Sequence, residues 1–367
     1  MPVPEWLDTL WDRVVNFRTD REIDRENQRL MRKYNFGILP ISEELGAHAE
    51  VAGRVSALGD AGHIYEIEPL YEEARRADIV LPGAFLLHEM LLQRLMPANL
   101  QDRNSVAGKL APFRAAWEGH PTPFTAALYA LTLHEAAYAA RGTDLPDTVS
   151  DQQWADMQRH LTMARQVLDA TPDTTGTCQL WHRANYDLAL EEGLDFNAYQ
   201  ARFEAAWALD RFNLQLCENH AIRVMPRWMG RDAHDVESFA RRAMAMTETR
   251  YGAGAYAMIY HGQCEMGHHE LEDSLCEPAL AQQGFEDLIA RYGGQSLYNR
   301  HAGFSDWVGD HATVNRLFSG PLRTIVPQIW SGADDDERVT DALDTFSLAR
   351  DMLDLDEDEE VPRRAAG

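Results

Sequence analysis

The run His261-Gly262-Gln263-Cys264-Glu265-Met266-Gly267-His268-His269-Glu270, followed by Cys276, is the densest concentration of metal-binding side chains in the sequence. Imidazole nitrogen and thiolate sulfur are zinc's preferred donors, and a His-x2-Cys-x3-His-His spacing can bring three of them round one ion. The run lacks the paired spacing of a zinc finger. It also falls where a loop between helices is expected, and loops are polar in any case. The expected cofactor is therefore none. The alternative is zinc on His261, Cys264, His268, His269 and Cys276, which would make the chain a metal-dependent hydrolase or oxidoreductase.

Other chemical patterns are incomplete. His88-Glu89 and His134-Glu135 open like a His-Glu-x-x-His zinc motif, but Leu92 and Tyr138 stand four residues after each histidine. Both pairs read as ordinary helix residues. There is no Gly-x-Ser-x-Gly elbow. Lysine occurs only as Lys33 and Lys109, and neither follows the glycine pattern of a phosphate-binding loop. Gly252-Ala253-Gly254 has no preceding strand to make a dinucleotide site. No catalytic residue is assigned.

A second feature is Pro226-Arg227-Trp228-Met229-Gly230, which interrupts a strongly helical chain near its middle. Proline cannot continue a helix interior, and glycine relieves backbone strain. Arg227 beside Trp228 admits a functional reading, a guanidinium and indole gripping a partner. It also admits a structural one, with Trp228 filling the gap between two helical hairpins and Arg227 capping the preceding helix. The structural reading is preferred, and it implies a cost of roughly 3–5 kcal/mol for Trp228→Ala.

These residues must be positioned by helices. Hydrophobic residues make up 45% of the 367 positions, enough for an extensive core. Apolar side chains recur at helical spacing from Glu5 to Phe17. Further helices are expected near Glu43–Leu58, Glu66–Ala77, Pro82–Leu95, Ser105–Glu118, Thr122–Arg141, Ser150–Ala170, Thr177–Glu192, Asn197–Leu209, Asn213–Met225 and Asp235–Tyr251. After Ala255 they continue near Ala255–Tyr260, Pro278–Tyr292, Ser296–Trp307, Ala312–Phe318, Leu322–Ile329 and Val339–Leu355. His63–Ile67 is the best strand candidate, too short to build a sheet. Leu168-Asp169 and Leu209-Asp210 close two similar helix ends about forty residues apart, a separation found in helical-hairpin repeats.

The formal net charge of −25 repels phosphate backbones, so nucleic acid is not an expected partner, and a basic protein is. Four cysteines in a chain of this length do not make a disulfide framework. No secretory signal and no membrane-spanning apolar run is seen, so a reduced, cytoplasmic protein is expected.

Three segments carry a family resemblance. They are His120-Pro121-Thr122-Pro123-Phe124-Thr125-Ala126 with Tyr138-Ala139-Ala140-Arg141-Gly142; Met225-Pro226-Arg227-Trp228-Met229-Gly230; and Gly284-Phe285-Glu286-Asp287-Leu288 with Tyr292, Asn299 and Trp330. Together they resemble an uncharacterised bacterial family, a domain of unknown function with a tetratricopeptide-like helical fold. Met229 replaces the glycine and Tyr138 the tryptophan that the family prefers. The resemblance implies an α-α superhelix over about Ser105–Trp330 and supplies no activity.

The reading is an all-α protein, an α-α superhelix of stacked helical hairpins. Residues 1–100 form a helical region packed on or continuous with the repeats, residues 101–330 the tetratricopeptide-like domain, and residues 331–367 a last helix and acidic tail. The expected function is non-enzymatic binding of a protein or peptide partner through a concave face. An adaptor or an immunity protein for a basic toxin or effector is the specific form, with Arg227 and Trp228 as candidate contacts.

Overall fold

A computed structural model describes residues 25, 27–97, 100, 105–142, 148–265, 274–332 and 334–355. The expected helix Glu5–Phe17, the acidic run Asp356–Glu360, and His268 and His269 lie outside the described residues. The chain is all-α. Its helices are α1 (Ala49–Asp60), α2 (Ile67–Ala77), α3 (Leu87–Leu95), α4 (Val106–Gly119), α5 (Pro123–Arg141), α6 (Asp151–Ala170), α7 (Gln179–Asp187) and α8 (Phe196–Leu209). They continue as α9 (Leu214–Arg223), α10 (Ala233–Tyr251), α11 (Gly254–Glu265), α12 (Pro278–Tyr292), α13 (Gln295–Trp307), α14 (His311–Ser319) and α15 (Asp335–Met352). Residues 27–34 are also helical.

From α5 onward consecutive helices pair as hairpins: α5 with α6, α7 with α8, α9 with α10, α11 with α12, and α13 with α14. The first helix of one hairpin packs on the first helix of the next for α5 on α7, α9 on α11, and α11 on α13. Small residues allow these approaches. A Cβ on Gly284 of α12 would lie 2.4 Å from the Ala253 carbonyl. One on Gly262 of α11 would lie 2.7 Å from Cγ of Glu218 on α9.

Three apolar clusters run along the stack. The first joins α1–α7, the second is centred on α7–α13, and the third holds residues 30–36 against α13–α15. Strand structure among the described residues amounts to Gly37–Ile38 paired in parallel with Thr324–Ile325. His63–Ile67, expected as a strand, instead opens with a 3-10 turn at Ile64–Glu66. Leu322–Ile329, expected as a helix, is the second of these strands followed by the 3-10 turn Pro327–Ile329. Tertiary pairing with a remote segment overrides local preference there.

The helix N-termini explain part of the acidity. Backbone N–H groups in a first turn have no intrahelical acceptor, and the positive end of the helix dipole favours an anion. Five first helices of hairpins meet a carboxylate. At α5, the Thr122 hydroxyl donates to Glu68 at 3.2 Å. Before α7, Cys178 N donates to Asp173 at 2.7 Å. At α9, the N-cap Asn213 donates to Glu89 at 2.8 Å. Before α11, Ala253 N donates to Asp287 at 2.9 Å. At α13, Ser296 N donates to Glu44 at 3.2 Å, and Gln295 N donates to the same carboxylate. Glu44, Glu68 and Glu89 all come from the segment before α4, so that segment is built into the hairpin stack.

Candidate functional site

The helix α3 is buried on nearly every side, including Leu87, His88, Glu89, Met90, Leu91 and Leu92. Two adjacent polar residues inside that apolar helix need partners, because an unpaired buried polar group costs about 1–3 kcal/mol. They find them at the turn joining α8 to α9. His88 Nε2 lies 3.0 Å from Asp210 Oδ2 and 3.8 Å from Glu89 Oε1. Asn213 Nδ2 donates to both carboxylates at 2.8 Å. Gln179 Nε2 donates to Asp210 at 3.1 Å, and its carbonyl accepts from the Tyr71 hydroxyl at 2.6 Å.

His88, Glu89 and Asp210 bring one donor atom each within 4.8 Å of one another, the arrangement a divalent cation would use. The donor set does not fit one. Asn213 Oδ1 accepts from Leu216 N at 2.9 Å as the N-cap of α9, which fixes the amide so that its N–H groups point between the two carboxylates. A cation there would face those hydrogens and the Arg183 guanidinium 3.7 Å from Glu89.

Two guanidiniums border the cluster instead. Arg183 Nε donates to Asp187 at 2.8 Å, and Arg223 Nη1 lies 3.2 Å from the other Asp187 oxygen, an ion pair without hydrogen-bond geometry. Three carboxylates, Glu89, Asp187 and Asp210, thus face two guanidiniums and the His88 imidazole, whose Nδ1 is buried without a hydrogen-bond partner. Burial opposes charging His88. The Asp210 hydrogen bond and the charges of Asp210 and Glu89 overcome it, and the net shift is upward from 6.5. Asp187 is held below its ordinary range: burial pushes it up, and Arg183 and Arg223 more than offset that.

A second buried group links α9, α11 and α13. Arg300 Nη1 donates to Glu218 at 3.0 Å and to His261 Nδ1 at 3.2 Å. Burial, then the Arg300 charge, pushes His261 well below 6.5, so it is a neutral imidazole. His261 and Cys264 therefore stand inside α11, not in the expected loop. The Cys264 thiol donates to the Tyr260 carbonyl at 3.3 Å. Burial pushes the Cys276 thiol up. Among the described residues, His261, Cys264 and Cys276 belong to no metal-sized group. Two surface cavities of about 350 and 390 Å³ lie between α1 and α2 and touch none of these residues.

The corner after α9 departs from the preferred reading. Its backbone is tied by Trp228 N to Met225 O at 2.9 Å, Met229 N to Arg223 O at 3.1 Å and Gly230 N to Met225 O at 3.1 Å. Trp228 does not fill a gap between hairpins: it is 47% exposed. The Arg227 guanidinium lies 5.4 Å from the centre of its ring. Gly230 is required by contact and not by φ, since a Cβ there would lie 1.8 Å from the Val224 carbonyl. The buried cluster around His88 went unread in the sequence. Its His-Glu pair completes no zinc motif, and its partner Asp210 is 122 residues away.

The fold and the site define the chain as an all-α protein of stacked helical hairpins with a buried polar cluster where α3 meets the α8–α9 turn. Nothing matches it among protein-family models, curated proteins or solved structures.

Proposed function

We propose that the chain is a non-enzymatic helical-repeat protein that docks a protein or peptide partner at the corner formed by residues 225–230. The observation that carries this reading is the exposed Trp228. An indole held in water on a backbone fixed by three hydrogen bonds, with a guanidinium over its face, joins two of the residue types enriched at binding hot spots. The interior supports the non-enzymatic half. His88 Nε2 is engaged with Asp210, and Arg300 Nη1 with Glu218 and His261. The Cys178 thiol is pushed up to about 12 by burial, then by Asp173 and other carboxylates, leaving little thiolate to act as a nucleophile.

The formal charge of −25 favours a basic partner, in the manner of an adaptor or an immunity protein. The resemblance to an uncharacterised tetratricopeptide-like family agrees with this reading and adds no activity. The test places a photo-crosslinking amino acid at position 231, an exposed site beside the corner that leaves Trp228 intact, with one at position 114 on α4 as control, in lysate of the native host. A stoichiometric adduct formed at position 231 alone, and weakened by salt, is the expected result. Equal labelling at both positions, or none at either, overturns the proposal.

A further inference from the structure

The far end of α15 is apolar on its open side. Leu348, Met352 and Leu353 are 49%, 61% and 37% exposed. Leu348 and Met352 are one helical turn apart and share a face. Of the eight large apolar side chains exposed among the described residues, these are three. A single exposed leucine is ordinary, whereas a cluster marks a contact surface. A stack of helices needs a polar outer face on its last unit, and α15 is the last helix among the described residues.

We propose that the segment Glu5–Phe17 docks on this stripe and caps the stack. The course of the chain names the occupant. Asn27 Nδ2 donates to Thr340 Oγ1 at 2.9 Å, and the Tyr34 ring meets Phe346 edge-on at 4.9 Å. Residues 27–34 therefore run alongside α15 in the same direction, and the chain before Asn27 is anchored beside Thr340. Leu348 is eight residues further along the helix, about 12 Å at a rise of 1.5 Å per residue. Residues 18–26 span up to about 30 Å when extended, so the segment before them reaches the stripe with length to spare. The apolar wall between α1 and α2 belongs to the first cluster, whereas residues 30–36 and α15 share the third.

The chemistry of the segment fits the stripe. On a helix, Trp6, Leu7, Leu10, Trp11 and Val14 fall on one face, and Asp8, Asp12 and Arg13 on the other. Packing the first face on Leu348 and Met352 takes two apolar surfaces out of water. It turns the second face outward, which gives the stack the polar end that α15 lacks. A helix over these residues is about 20 Å long, enough to cover both side chains.

The test uses the full chain. A photo-crosslinking amino acid replaces Asp351, which is exposed and leaves the stripe intact. A second variant carries it at Arg54, in the groove between α1 and α2. Equal amounts of ¹⁵N-labelled and unlabelled chain are mixed, and adducts are mapped by mass spectrometry. The expected result is an adduct from position 351 to residues 5–17 within one isotopic copy, with none to that segment from position 54. Adducts of mixed isotope would mean that a second copy covers the stripe, and they overturn the proposal. So does an adduct to the segment from position 54, or none from either position. Hydrogen exchange gives an independent readout. Leu348→Lys should lower the protection of residues 5–17 by about tenfold or more and leave α5–α9 unchanged. A leucine with nothing packed on it tolerates that change, so equal protection in Leu348→Lys and the wild type also overturns the cap.

Discussion

Arg300 donates a hydrogen bond from Nη1 to Nδ1 of His261 at 3.2 Å, so the histidine that opens the alternative zinc run serves as an acceptor inside the core. The same nitrogen reaches Glu218 at 3.0 Å. Removing the guanidinium would strand a buried carboxylate between α9 and α11. Arg300→Met should destabilise the fold by about 3–5 kcal/mol. Chemical denaturation measures this, and adding Glu218→Gln should restore more than half of the loss. A single variant within about 0.5 kcal/mol of wild type would refute the pair's role.

Trp228→Ala removes a side chain that is 47% exposed, so the change in stability should stay near 0.5 kcal/mol. Partner affinity should fall by about tenfold or more, the loss expected of a hot-spot aromatic. Calorimetric titration with the crosslinked partner reads the affinity, and thermal denaturation the stability. A drop of several kcal/mol in stability would return Trp228 to the core role first expected of it.

Acid should weaken the protein through His134 and His301, both pushed to about 4 chiefly by burial. Their folded values lie below the unfolded 6.5. Their contribution is thus complete above 6.5 and is lost as pH falls towards about 4. Each is worth up to roughly 3 kcal/mol. Unfolding free energies measured across this window should fall with acid, and His301→Gln should flatten part of the slope.

Burial holds the Cys178 thiol at about 12 and pushes those of Cys217 and Cys276 up as well. The thiolate is the reactive form. At mildly alkaline pH these three cysteines should react with a disulfide reagent at least about a hundredfold more slowly in the native protein than in denaturant. Rapid native labelling of any of them, located by peptide mapping, would show an activated thiol.

Helices were readable where end signals are local. The capping boxes Thr122 with Thr125 and Ser150 with Gln153 begin α5 and α6 within one residue of expectation. Pairings across the chain were not. The strand at Thr324–Ile325 forms because Gly37–Ile38 lies beside it, and no local pattern encodes that. Gly262 belongs to the run expected in a loop, yet it lies inside α11, where Glu218 of the neighbouring helix leaves no room for a Cβ. The helix ends at Asp169 and Asp210 looked alike and are physically unlike. Asp169 is exposed and pairs within its own helix with Arg165 at 3.5 Å, while Asp210 is buried under α3. Trp228 was misjudged because a large apolar side chain is usually buried, and only the fold shows which one is not.

The carboxylates at the helix N-termini bear on how this architecture can change. In an array whose units contact only their neighbours, a unit can be gained or lost and the junction re-forms. Here α5, α9 and α13 each begin on a different glutamate, Glu68, Glu89 and Glu44, of one upstream segment. Duplicating or deleting a hairpin would leave a helix without its anion or a glutamate without its helix. The number of hairpins is therefore locked to the length and order of the segment that precedes them.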